Sequence, residues 1–284
     1  MKTAGIFFNP YYKQKEELFK FLKEIREKLE LEFYKTREQA DILPDFICTV
    51  SDKVPPKLDL ILVFGGDGTI LKAVDFSLKT GAPILGINLG KLGFLAESSL
   101  LELEKSLENL KKKKFTIQPR MLLKVILKRD GKNIYSSKAL NDAVIYKGQV
   151  PKLMDIRYYN NQRFVVETRC DGIIVASPTG STAYSLSAGG PIISPVMDVI
   201  AVTPLNPHVL TMRPMIFPSK DILTFKVMQN YEEAILQLDG QNSHVLETGD
   251  EITITAANRK VDFIKLTNKT FYQILRKKLH LGKK

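Results

Sequence analysis

Leu60-Ile61-Leu62-Val63-Phe64 is an unbroken apolar run stopped by Gly65-Gly66. A strand with one face in water alternates apolar and polar residues. A strand with no polar position is covered on both faces, as in a parallel sheet. Parallel strands need crossover connections, usually helices. The flanking sequence supplies both parts. Ala4–Phe8 is a second short apolar run, ended by Asn9-Pro10. Leu18, Leu22, Ile25 and Leu29 stand at helical spacing within residues 13–30. Ile70, Val74 and Leu78 do the same within 69–80, Pro83–Ile87 is another strand-like run, and residues 100–114 return to helical spacing. Strand and helix in alternation predict a Rossmann-like α/β domain.

The pattern changes near Gln118-Pro119. Leu122–Leu127 is followed by Asp130-Gly131, a strong hairpin signal. Short β-favouring runs then recur at Ile156–Tyr159, Phe164–Val166, Ile173–Ala176, Val199–Val202, Leu223–Met228, Ala234–Leu238 and Glu251–Thr255. Such a series predicts a β-sandwich-like domain. Phe271–Leu281 reads as a helix that returns to the first domain. The expected division is an α/β domain at 1–117, a β-rich domain at 118–265 and a C-terminal segment at 266–284 that packs on the α/β domain.

Of 284 residues, 44% are hydrophobic and 26% charged, which excludes a disordered chain. The net charge of +11 favours anionic partners without choosing among them. The run Lys111–Lys114 closes a helical pattern, where lysines oppose the helix dipole, and reads as a solvated helix end rather than a nucleic-acid patch. Cys48 and Cys170 form no CxxC or Cys/His cluster, so neither a disulfide framework nor a zinc site is expected. Neither a signal-peptide core nor a membrane-length apolar stretch stands out. The expectation is a cytoplasmic protein without membrane or nucleic-acid partners.

Two segments carry chemistry. Gly65-Gly66-Asp67-Gly68 lies between a strand pattern and a helix pattern. Glycines there let a ligand meet backbone N–H groups, and the helix N-terminus favours a phosphate. Asp67 does not fit a plain anion cradle, since a carboxylate repels phosphates unless it has a task. It can accept a proton from an attacking hydroxyl, or help to hold Mg²⁺. Taken alone, the four residues also make an ordinary tight turn. The second segment runs from Ser177 to Pro191 and is dense in Ser, Thr and Gly. Its hydroxyls and N–H groups suit phosphates, riboses or a base edge, and Tyr184 offers an aromatic face for an adenine. The Walker A pattern GxxxxGK[ST], the GxGxxG fingerprint and the protein-kinase motif set are all missing.

Gly65-Gly66-Asp67-Gly68 together with Thr179-Gly180-Ser181-Thr182-Ala183-Tyr184-Ser185 resembles the NAD kinase family. Asn88–Leu95, Asn141-Asp142, Pro204–His208 with Arg213-Pro214, and Asp239-Gly240-Gln241 match further segments in family order. The GGDG element is shared with diacylglycerol and sphingoid kinases, so a lipid kinase is the alternative; the TGSTAYS segment is far more specific. The resemblance implies transfer of a phosphoryl group from ATP to the 2′-hydroxyl of the adenosine ribose of NAD, with the active site between the two domains. It implies Asp67 as proton acceptor and nucleotide contacts at Gly66, Gly68, Lys72, Asn141, Asp142, Lys152, Arg169, Asp171, Thr182, Ala183, Tyr184, Ser185, Leu186, Ser187 and Gln241. Many family members have Glu at the position of Asp142. No residue set for a protein-held metal is visible, so a divalent ion, Mg²⁺, is expected to arrive with ATP. A homodimer or homotetramer is implied. His208, His244 and His280 are assigned no chemistry.

Overall fold

The computed structural model describes residues 2–45, 47, 49–50, 57–90, 93–148, 152–229 and 234–282. Cys48, Lys91 and Leu92 lie outside the described residues. The chain divides into two compact units, Met1–Pro119 with Val261–Lys284, and Arg120–Lys260.

The first unit begins with β1 (Thr3–Phe8), α1 (Lys15–Lys28), β2 (Glu32–Lys35) and β3 (Thr49–Val50). It continues with β4 (Leu60–Phe64), α2 (Asp67–Thr80), β5 (Ile84–Asn88), β6 (Ser98–Ser99), α3 (Leu103–Lys111) and β7 (Thr116–Arg120). The strands β1, β2, β3, β4 and β5 pair in parallel, as the all-apolar run at 60–64 requires. The apolar stripe of α1 (Leu18, Leu22, Ile25) and that of α3 (Leu103, Leu107, Leu110) join Ala4, Ile6, Phe8, Leu60 and Leu62 in one core. On the alternate strand positions, Phe7 meets Phe76 of α2 at a ring separation of 5.5 Å. Gly81, at φ 73°, ends α2 as a left-handed cap. Lys111 is the last residue of α3, and Lys113 turns the chain at φ 56°.

The second unit holds β8 (Leu123–Arg129), β9 (Lys132–Ala139), β10 (Asp142–Lys147), β11 (Met154–Asn160), β12 (Arg163–Cys170) and β13 (Gly172–Ala176). After the short α4 (Tyr184–Ser187) come β14 (Val199–Leu205), β15 (Met215–Pro218), β16 (Leu223–Gln229), β17 (Ala234–Leu238), β18 (Asn242–Leu246) and β19 (Glu251–Ala256). They form two antiparallel sheets, ordered β15-β14-β13-β10-β17-β18 and β12-β11-β16-β19-β8-β9. Inward residues of both, among them Ile145, Ile173, Val175, Leu236, Tyr158, Phe225 and Ile252, share one core, so the unit is a sandwich. Asp130 and Gly131, at φ 49° and 74°, make the two-residue turn of the β8–β9 hairpin.

The chain ends in β20 (Val261–Lys265) and α5 (Phe271–Leu279). β20 pairs in parallel with β5 and lies between β5 and β7 in the first unit's sheet. The sequence alone assigns 261–265 to the β-rich domain; the structure sets it in the first unit's sheet. Val261-Asp262-Phe263-Ile264-Lys265 is a short apolar-rich strand, and nothing local says which sheet will take it. Among the described residues no helix is long and apolar enough to cross a membrane.

Candidate active site

From β1 the chain goes to β2 on one side, then returns past β1 to β4 on the other. Strand order therefore reverses between β1 and β4, the place where an open α/β sheet leaves a crevice at its carboxyl ends. A cavity of about 580 Å³ lies there, lined among others by Asn9, Tyr11, Gly65, Gly66, Asn88 and Gly90. Asn9 N–H donates to the Phe64 carbonyl at 2.9 Å, and Gly65 N–H to the Ile87 carbonyl at 3.0 Å. These bonds tie the three strand ends into one rim.

α2 starts at this rim. Gly66 is its N-cap, and no side chain caps it. Its first N–H groups thus lack intrahelical partners and, with the helix dipole, attract an anion. A Cβ on Gly65 would stand 2.4 Å from Thr69 Oγ1, so internal packing demands that glycine. At Gly66 and Gly68 an added Cβ meets nothing within 4 Å. Among the described residues no contact requires those two glycines; they keep the backbone open to approach.

Asp67 is the first residue of α2 and is half-buried. Phe94 N–H donates to its Oδ2 at 2.9 Å and Leu95 N–H to its Oδ1 at 3.1 Å. A Cβ on Gly93 would come within 2.1 Å of Oδ1, so the loop after β5 wraps directly around the acid. Each carboxylate oxygen still has acceptor capacity beyond the one backbone bond. Lys72 is exposed, somewhat more than one turn further along α2.

In the second unit, Asp142 opens β10 directly after Asn141 and pairs with Ala176 at the end of β13. The segment after β13 folds back on them. Ser177 N–H donates to the Asn141 carbonyl at 2.8 Å, and its hydroxyl donates to the Leu140 carbonyl. A Cβ on Gly180 would meet the Asn141 oxygen at 2.0 Å, so only glycine permits this contact. Gln241 closes the β17–β18 hairpin beside the same strand end, where Leu238 pairs with Ala143. Residues 184–194 cover the outer face of this sheet, with Ile193 buried against Val144, Ile174 and Ala201. Thr182 and Ala183, just before this cover, and Leu186 within it are half-buried, while Tyr184 and Ser187 are exposed. Ser185 is fully buried, its hydroxyl 3.0 Å from that of Thr203. Its side chain is spent on the fold.

Burial, with the charge of Asp239 adding to it, pushes the Asp142 carboxyl up to about 7. The protonated and charged forms therefore coexist near neutrality.

Arg169 and Asp171 do not join this cluster, and Lys152 lies two residues before Met154, which pairs with Cys170 beside them. β13 begins just after Asp171 and ends just before Ser177, so the two ends stand roughly 20 Å apart. Arg169 pairs with Asp155 at 2.9 Å, and Asp171 with Lys147 at 2.6 Å and with the Asn206 amide at 2.8 Å. Burial works to raise the Asp171 carboxyl, but the Lys147 and Asn206 bonds outweigh it and hold it below its ordinary value. Cys170, next to them, is buried and its thiol is pushed up to about 12, chiefly by burial, which leaves it inert. Sequence reasoning gave no role to Asn9, to Gly93–Leu95 or to Asp239. The only signals were an Asn-Pro after a buried run and two matched segments whose partners are distant in sequence.

An acid set into a phosphate-attracting loop hinders a protein that only binds phosphate, and serves one that must take a proton from a hydroxyl. The fold and this loop thus define a kinase with a hydroxyl-bearing acceptor. The ATP-NAD kinase N-terminal domain matches residues 5–115, and the ATP-NAD kinase C-terminal domain residues 140–266. The NAD kinase of Natranaerobius thermophilus is 38% identical over 99% of this chain and 99% of its own. That of Desulforamulus reducens is 42% identical over 78% of this chain and 77% of its own. Yeast NADH kinase, solved with NADH, superposes with a TM-score of 0.88 at 26% identity, covering 100% of this chain and 89% of that one. An Archaeoglobus fulgidus NAD kinase solved with ATP gives a TM-score of 0.73 at 25% identity, covering 99% of both chains. The chain belongs to the NAD kinase family.

Proposed function

We propose that this chain carries out the NAD kinase reaction with Asp67 as the proton acceptor. Asp67 takes the proton of the adenosine 2′-hydroxyl of NAD. The freed oxygen forms a bond to the γ-phosphorus of ATP, the bond from that phosphorus to the β–γ bridging oxygen breaks, and NADP and ADP leave. The observation that carries this reading is the Asp67 carboxylate, fixed by two N–H groups at a helix N-terminus whose flanking glycines face open space.

In this reading the phosphates of ATP lie over Gly66 and Gly68, where unpartnered N–H groups and Lys72 supply positive charge. Asn141 and Asp142 receive sugar hydroxyls of NAD, with Thr182–Ser187 and Gln241 bordering the same strand end. Lys152, Arg169 and Asp171 serve at most a distant part of an extended ligand, given the length of β13. Among the described residues no group of three or more His, Cys, Asp or Glu side chains stands together as a metal cage. One accessible carboxylate, Asp67, suits Mg²⁺ that brings most of its ligands from phosphates and water. When bound, the ion offsets charge on the transferring phosphoryl oxygens. A homodimer or homotetramer in the cytoplasm belongs to the same proposal and rests on the family resemblance alone.

The test mixes the protein with NAD, ATP and Mg²⁺ and measures NADP with an NADP-specific dehydrogenase. NADP formation that needs all three supports the reading. Consumption of ATP without NADP overturns it.

A further inference from the structure

The β17–β18 hairpin turns through Asp239 and Gly240, at φ 50° and 68°. Leu238 pairs with Asn242 across a three-residue connection, closed by Gln241 N–H donating to the Leu238 carbonyl at 2.9 Å, and this tight closure leaves the Asp239 side chain little freedom in where it points. The Asp239 carboxylate accepts three consecutive backbone N–H groups. Leu140 donates to Oδ2 at 2.7 Å, Asn141 to Oδ1 at 2.8 Å and Asp142 to Oδ1 at 3.1 Å. In return, Asp239 N–H donates to the Asp142 carbonyl at 3.0 Å. Hydrogen bonds to a charged acceptor are about twice as strong as neutral ones. One side chain thus fixes the backbone of the residues that the proposed function gives to the sugar of NAD.

We propose that Asp239 is a positioning residue for dinucleotide binding, its carboxylate locking residues 140–142 so that Asn141 and Asp142 meet the ribose hydroxyls in one geometry. The proposal rests on the reading of Asn141 and Asp142 as sugar contacts. Electrostatics adds a second handle. The strands flanking β10, β13 (Gly172–Ala176) and β17 (Ala234–Leu238), carry no titratable side chain, and neither does the segment Ser177–Thr182. On β10 itself, Tyr146 and Lys147 stand at the far end, where Lys147 pairs with Asp171. Asp239 is the charge that acts on the Asp142 carboxyl, after burial.

The experiment measures kcat and KM for NAD at saturating ATP from pH 5.5 to 9, for the parent chain and for Asp239→Asn, Asp239→Glu and Asp142→Asn. Asp239→Asn removes the charge and puts an NH₂ donor against N–H donors. Its KM for NAD rises tenfold or more, on the order expected for lost charged hydrogen bonds, while kcat stays within about threefold. The kcat/KM inflection that Asp142 gives near pH 7 moves to lower pH in Asp239→Asn and stays in place in Asp239→Glu. A variant that loses kcat and KM performance together, with the inflection unmoved, overturns the proposal in favour of a purely structural role. Should Asp239→Asn fail to fold, Asp239→Glu decides, since its longer side chain misplaces the clamp: a raised KM with kcat kept supports the proposal, and an unchanged KM overturns it. Asp142→Asn with an unchanged KM for NAD sinks the underlying sugar assignment instead. Asp142→Asn raising KM while the Asp239 variants do not sinks this inference alone.

Discussion

The two acids that the proposed function sets beside the sugar, Asp67 and Asp142, are held in different ways. Asp67 accepts one N–H on each oxygen and stays half-buried, which leaves it accessible for the proton transfer that the proposed function gives it. Asp67→Asn keeps the shape and both N–H acceptor positions only in part, and removes the base. NADP formation should fall about 10²- to 10⁴-fold, the range general-base catalysis supplies. The dissociation constant of NAD, read by calorimetry, should change less than about threefold. Equal loss of turnover and binding would make Asp67 a binding residue. Asp142 is the opposite case, buried and pushed up to about 7. Its ordinary value in an unfolded chain is near 4, so between about pH 4 and 7 the folded state holds a proton that the unfolded state has lost. Stability therefore falls as pH rises through that window and levels off above 7. Asp142→Asn removes the penalty. Its Tm should exceed that of the parent at pH 8, corresponding to on the order of 2–4 kcal/mol, and the gap should close as pH falls toward 4. A gap independent of pH would mean that Asp142 does not titrate in this range.

At the scale of elements, the glycines at the start of α2 divide by what surrounds them. Gly66→Ala meets none of the described residues, so Tm should hold within about 2 °C, the span of a surface change of about 0.5 kcal/mol, while KM for ATP rises. Gly93→Ala drives a methyl into the Asp67 carboxylate. Overpacking of this kind costs about 1–3 kcal/mol, so both Tm and kcat should drop. Thermal melts beside ATP titrations separate the two, and a Gly66→Ala variant with an unaltered KM would remove the phosphates from this loop. The same contrast shows what the sequence could disclose. Leu60–Phe64 reads as a covered strand because every position is apolar, and the α2 stripe reads as a helix because its period is 3.6. Glu32–Lys35 and Thr116–Arg120 are short and largely polar, and only their sheet neighbours make them strands. In the site, Asp67 and the 179–185 segment were legible because their residue types are odd for a plain turn or linker. Asp239 was not, because its three partners lie 97 to 99 residues earlier, and only the pairing of β17 with β10 brings them together.

Across the whole molecule, the two units differ in how they use the chain. Every member of the sandwich core falls between Met121 and Ile254, one continuous stretch. The core of the first unit instead draws Ile264 from beyond the sandwich, and β20 fills the place between β5 and β7. Cutting the chain at both unit boundaries thus leaves one piece whole and the other broken. A fragment of residues 120–260 should give a β-type circular dichroism spectrum and a cooperative urea transition, since its sheets and core are complete. A fragment of residues 1–119 should not. Without β20 its sheet has open edges at β5 and β7, its core lacks Ile264, and exposed strand edges lead to aggregation. Joining 261–284 to residue 119 through a flexible linker should restore a cooperative transition, because the tail then reaches its place beside β5. If 1–119 alone unfolds with the same midpoint as the linked form, β20 contributes nothing to the sheet, and the insertion of the sandwich into an interrupted α/β unit is a matter of chain order rather than of stability.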